Sequence, residues 1–153
     1  MWQQLFGWTN LVALVGWLLL ILLPRGRVLP VVRYLGVGLL CGTYAVLVAA
    51  LVFGWSDPAR AAAGPPAPFD YSVRGLREMF ASDGAIVVGW THYLAFDLFV
   101  GCWIAEHADR RRIGRAARVP VLLLTFLAGP VGLLLHYLMR AITRGRDSGR
   151  RPR

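Results

Sequence analysis

Asn10, Tyr44, His92, Tyr93, Asp97, Thr125 and His136 place amide, phenol, imidazole, carboxyl and hydroxyl groups inside long apolar runs. Ionisable groups there are costly in hydrocarbon and usually face the interior of a bundle. Each is therefore a candidate for proton transfer or for hydrogen bonding to a ligand. His92 and Asp97 lie five residues apart, about 140° of helical rotation, so they do not share a face. A metal site held by this segment alone is not expected. Tyr93 and Asp97, four apart, do share a face, and Gly101 continues it. Thr125, Gly129, Gly132, His136 and Arg140 recur within roughly 80° of arc on a continuous helix. Inside that stripe Pro130 removes a backbone donor and leaves the carbonyl of Phe126 without its helical partner.

Counting about 1.5 Å per residue from the face that carries the termini puts Asn10, His92 and His136 in the first third of a bilayer. Tyr44 and Asp97 fall deeper, level with Gly129. Asn10, Tyr44, His92, Asp97, Thr125 and His136 are expected to converge on one cavity opening towards that face. The alternative is a set of separate structural hydrogen bonds, which membrane helices also use. Glu106, His107 and Asp109 sit at the opposite interface among arginines and read as a solvated ion-pair network.

The elements that must position these groups follow from composition. Of 153 residues, 57% are hydrophobic and 16% charged, with a mean hydropathy of +0.54. That excludes disorder and points to an integral membrane protein, since a chain this short cannot hide so much apolar side chain in water. All 17 basic residues are arginine, against 8 acids. They lie between and after the apolar runs, as membrane proteins arrange them, so a nucleic-acid partner is not expected. Cys41 and Cys102 fall within apolar runs and read as small buried hydrophobes.

The expected fold is all-α, a four-helix transmembrane bundle occupying residues 1–144. Its spans run over about 5–23, 31–55, 85–104 and 119–140, with a basic disordered tail at 145–153. No basic residue precedes the first span, so it reads as a retained helix rather than a secretory signal. In the middle loop Arg60 to Gly64 is alanine-rich and Pro65 to Pro68 is stiff. A short interfacial helix is expected between Tyr71 and Ser82, capped by Ser72, with Leu76, Met79 and Phe80 on one face. With four spans the arginines divide almost evenly between the two faces. The short loops are then only marginally favoured as cytoplasmic, and the expected location is a bacterial inner membrane.

The run Gly89-Trp90-Thr91-His92-Tyr93-Leu94-Ala95-Phe96-Asp97-Leu98-Phe99-Val100-Gly101 is followed by Trp103, Asp109 and Val119-Pro120. Together with Leu124-Thr125-Phe126-Leu127-Ala128-Gly129-Pro130-Val131-Gly132-Leu133-Leu134 it resembles the abscisic acid-deficient-4-like family of small integral membrane proteins. Plant members are required for making neoxanthin, an allenic xanthophyll, from the epoxide violaxanthin. The resemblance is strongest over about 76–140. Where the family commonly has a cysteine after the proline of the last span, this chain has Val121.

The resemblance implies a protein that modifies or binds a carotenoid or isoprenoid. Turning an epoxide into an allene moves atoms within one molecule, which calls for an acid and a base rather than a redox cofactor. Asp97 is then the expected acid and His92 or His136 the base, with Asn10, Tyr44, Tyr93, Thr125, Gly129 and Pro130 as substrate-binding residues. No metal and no cofactor are expected beyond a bound carotenoid or lipid. The expected partners are membrane lipid and a second copy or a larger membrane complex. The alternative function is a non-catalytic accessory or assembly subunit of such a complex.

Overall fold

The computed structural model describes residues 1–23, 25–55, 70–111 and 113–148. The alanine- and proline-rich part of the middle loop and the end of the basic tail lie outside the described residues. Among the described residues the protein is all-helical. The helices are α1 (Trp2–Leu22), α2 (Arg25–Val31), a π-helical stretch (Val32–Val37), α3 (Gly38–Val52), α4 (Val73–Met79), α5 (Asp83–Arg110), α6 (Arg115–Leu127) and α7 (Gly129–Ser148). Among the described residues, three stretches are long and apolar enough to cross a membrane: Trp2–Leu22, Val28–Val52 and Asp83–Arg110.

Local chemistry sets the boundaries. The π-helical stretch follows Pro30, whose missing N–H disturbs the regular ladder one turn on. Just past the end of α3 stands Gly54, whose φ of 70° few other residues tolerate. There Trp55 N–H donates to Ala50 O at 2.9 Å and Gly54 N–H to Leu51 O at 3.2 Å, the paired bonds of a Schellman motif. The short middle-loop helix forms as expected: the Ser72 hydroxyl accepts from Gly75 N–H at 3.1 Å. Asp70 accepts from Ser72 N–H at 2.9 Å, which holds its carboxyl below the ordinary value of 3.8.

Residues 119–140 do not form one helix, which corrects the single span expected there. α6 starts at Arg115 and stops at Leu127, and Ala128 turns away with φ −154° and ψ 76°. The Ala128 carbonyl then accepts from Val131 N–H at 2.9 Å and Gly132 N–H at 3.1 Å, opening α7. Pro130 sits in the first turn of this new helix, where a missing N–H costs nothing. The proline therefore begins α7 rather than kinking a longer helix. α7 also continues to Ser148, past the point where the tail was expected to begin.

The chain divides into two compact units, residues 1–15 with 34–96 and residues 16–33 with 97–153. In the first, Thr91 and Leu47 are buried and the Trp2 ring and Leu51 pack against Gly84. In the second, Trp17, Leu20, Leu98, Cys102, Ile104 and Leu122 are almost fully buried. There the Trp17 ring lies over Gly101, 2.5 Å from where a Cβ would stand.

Candidate functional site

The first unit holds Asn10, Tyr44, His92 and Tyr93. Asn10 on α1 has both ends of its amide engaged. Its Nδ2 donates to Phe6 O at 2.7 Å, and its Oδ1 accepts from Trp90 Nε1 at 3.1 Å. The Trp90 ring rests between Tyr93, at 5.2 Å, and Phe6, at 5.7 Å. Asn10 thus ties α1 to α5. His92 has its ring 5.5 Å from Tyr44 on α3 and 4.5 Å from Phe96 on α5. This imidazole is exposed and Tyr44 is half-buried. On the same unit an open apolar groove of about 490 Å³ runs along α3 and past Leu5. Gly38 and Gly42 line it with open space above them, and Tyr34 and Thr43 supply its hydroxyls.

The second unit holds Asp97, Thr125, Gly129, Pro130 and His136. The half-buried Asp97 carboxylate lies against Gly129, with Cγ 2.7 Å and Oδ2 2.8 Å from where a Cβ would be. A carboxylate at the first residue of α7 is favoured by the positive end of that helix. Thr125 is fully buried, and its hydroxyl donates to Val121 O at 2.8 Å within its own helix. Gly132 seats on it, with the Thr125 Cα 2.5 Å from the place of a Cβ. The Thr125–His136 stripe therefore does not exist as one helix face, because the chain turns at Ala128 between them.

His136 is 3% exposed and packs among the rings of His107 at 5.2 Å and Trp103 at 5.4 Å. The depth counted for His136 assumed an unbroken last helix, which the turn at Ala128 interrupts. His107, read from the sequence as part of an ion-pair network, also stands against the His136 ring. Its i, i+4 spacing from Trp103 was visible in the sequence, but its contact with His136 depends on the turn at Ala128. Glu106 and Asp109 do form the expected pairs. Glu106 is held by Arg33 and, at 3.3 Å, by Arg110, and Asp109 accepts from Arg118 at 2.9 Å. Arg115 donates to the carbonyls of Ile21 and Leu22 at the end of α1. Among the described residues no group of three or more His, Cys, Asp or Glu side chains is arranged to hold a metal ion.

Residues 4–136 match the family described as ABA DEFICIENT 4-like. The chain belongs to that family. The matched stretch takes in every candidate residue from Asn10 to His136. No curated protein and no solved structure matches the chain. This ABA DEFICIENT 4-like protein is a membrane protein, with three helices among the described residues long and apolar enough to span a bilayer. The histidine-containing pairs of the two units differ in character. The Tyr44–His92 pair is open to its surroundings, whereas the His107–His136 pair is enclosed by rings.

Proposed function

We propose that this ABA DEFICIENT 4-like protein takes up a carotenoid or related isoprenoid from within the bilayer and rearranges it by acid–base chemistry. The observation that carries the reading is the exposed His92 ring beside Tyr44 and Phe96, on helices long and apolar enough to span a membrane. An imidazole open to hydrocarbon is costly. A substrate oxygen arriving from the lipid phase satisfies it, while Phe96 offers an aromatic surface to a polyene. The groove along Gly38 and Gly42 suits a rod-like apolar chain.

The chemistry is an isomerisation. A proton is delivered to the epoxide oxygen, the C–O bond breaks, and a proton leaves a nearby carbon as the new double bond forms. Atoms and electrons balance without an oxidant or reductant. His92 is the group placed to carry the proton, with the Tyr44 phenol beside it. Asp97 and His136 form a second set of candidates, each held by packing partners of its own: Gly129 and His107. The test is co-expression in a carotenoid-producing host with pigment analysis. A new pigment that disappears in His92→Gln is expected. An unchanged profile across epoxy, hydroxy and linear carotenoids removes the reading.

The second reading, a non-catalytic subunit of a larger membrane complex, draws on the outward face of Val28–Val52. Only 11% of its most apolar stretch is buried, and small residues along one face let another helix approach closely. Stoichiometric co-purification of other subunits in mild detergent, with no pigment change on co-expression, favours this reading over the first.

A further inference from the structure

We infer that α6 and α7 form a re-entrant hairpin that returns to the membrane face it entered from, so that the arginine-rich end of the protein lies on the cytoplasmic side. All the contacts that fix the hairpin lie within the second unit, and read along α5 they go in and then come back. Arg118, near the start of α6, bonds Asp109 close to the end of α5. Further on, the Phe126 ring lies 5.6 Å from Trp17, which itself covers Gly101. At the turn, Gly129 abuts Asp97. The chain then retreats: Gly132 lies on Thr125, and His136 reaches Trp103 and His107. The α5 residues reached in turn, 109, then 101 by way of Trp17, then 97, 103 and 107, are those of a helix pair running up and down.

Length agrees with this path. The 13 residues of α6 rise about 20 Å, and the apolar part of α7, Gly129 to Met139, about 16 Å, at 1.5 Å per residue. Both fall short of the roughly 30 Å of hydrocarbon, in the range typical of re-entrant segments. Non-helical backbone at membrane depth must be satisfied by protein. At the tip the Ala128 carbonyl accepts two N–H groups and the Ala128 N–H donates to Leu124 O at 2.8 Å.

The consequence is electrostatic. With three crossings, the segment after α7 emerges on the same face as the two short loops. All arginines except Arg60, Arg74 and Arg77 then belong to that face, in residues 25–33, 110–118 and 140–153. The near-even division expected from four spans becomes a strong bias. By the positive-inside tendency this end faces the cytoplasm, against anionic headgroups. The middle loop and the start of α5 then lie outside. Resting on the function proposed above, His92 draws its substrate from the outer half of the bilayer.

The test uses single cysteines, Ala117→Cys at the start of α6 and Ile142→Cys late in α7, in a chain carrying Cys41→Ala and Cys102→Ala. Ala117 and Ile142 are both exposed. Each variant is labelled with a membrane-impermeant maleimide in inverted and in right-side-out vesicles. Labelling of both positions in inverted vesicles alone is expected. Labelling from opposite faces overturns the hairpin, and labelling of both from outside overturns the orientation. Should the cysteine-free chain fail to fold, reporters fused to residue 153 and inserted after residue 64 read the same question in the native background. Opposite faces with a cytoplasmic residue 153 are expected, and any other arrangement overturns the proposal. Neither assay depends on a pigment, so its failure is distinct from failure of the proposed chemistry.

Discussion

The carboxylate of Asp97 fills the space that a side chain at residue 129 would occupy. One residue type on α5 thereby fixes another at the first position of α7, and the carboxyl group stands at the positive end of that helix. Gly129→Ala should lower stability by about 1–3 kcal/mol through overpacking. Because the obstacle is a side chain, Asp97→Ala in the same protein should recover most of that loss, as a double-mutant cycle by thermal unfolding in detergent would show. Equal destabilisation with and without Asp97 would mean that the carboxylate is not what Gly129 accommodates.

The two histidine candidates should separate into scaffold and chemistry. His136 is 3% exposed, so His136→Ala should cost on the order of 2–4 kcal/mol by leaving a cavity among Trp103 and His107. His92 is exposed, so His92→Ala should move stability by no more than about 0.5 kcal/mol. On the function proposed above, it should nevertheless abolish pigment conversion. Melting curves and pigment profiles on the same pair of variants check both halves.

These contrasts also mark what could be read from the sequence. Local features were legible: Ser72 caps α4 because a hydroxyl needs only an amide three residues on, and Glu106 and Asp109 find arginines because arginines crowd that end. The last segment was not legible. Gly129-Pro130 looks the same whether the proline kinks a long helix or sits in the first turn of a new one. What separates the two is the contact of Gly132 with Thr125, which is tertiary. Once the chain turns at Ala128, His136 meets His107, and counting 1.5 Å per residue along an assumed straight span could not find that. The candidate residues could be named from the sequence as polar groups in apolar runs. Their partners depended on a turn that apolar patterning does not encode.

Arg118 and Asp109 offer a test of charge at the mouth of the hairpin. The arginine side chain is 8% exposed and its partner 41%. Asp109→Ala should leave a buried guanidinium without its carboxylate and cost about 1–3 kcal/mol, less than for a fully buried pair. Adding Arg118→Met removes the stranded charge and should restore most of the loss. Unfolding midpoints of the single and double variants decide it.

The start of α4 should respond to acid. The Ser72 N–H, and then its hydroxyl, favour the charged form of Asp70 and hold its carboxyl below 3.8. A depressed carboxyl contributes stability above its unfolded value and loses it as the pH falls through the lower folded one. Order at Val73–Met79 should therefore persist at pH 5 and fray only below the ordinary carboxylate range. Amide exchange at Ser72 should rise there, and Asp70→Asn should flatten that dependence.

Gly132 differs from Gly129 in what it faces. A Cβ there would stand 2.5 Å from the Thr125 Cα, and backbone cannot rotate away as a carboxylate can. Gly132→Ala should therefore pry α7 from α6, and trimming the opposing residue with Thr125→Gly should not rescue it. The loss should be at least as large as the 1–3 kcal/mol expected for overpacking at Gly129, and it should appear as accessibility at the hairpin as well as a lower melting point. Ala128→Cys, placed at the turn, should react faster with a membrane-permeant maleimide when Gly132→Ala is present. If Thr125→Gly restores the melting point and slow labelling together, side-chain crowding rather than backbone contact holds the hairpin closed, and the close approach of the two helices is not what requires glycine at this position.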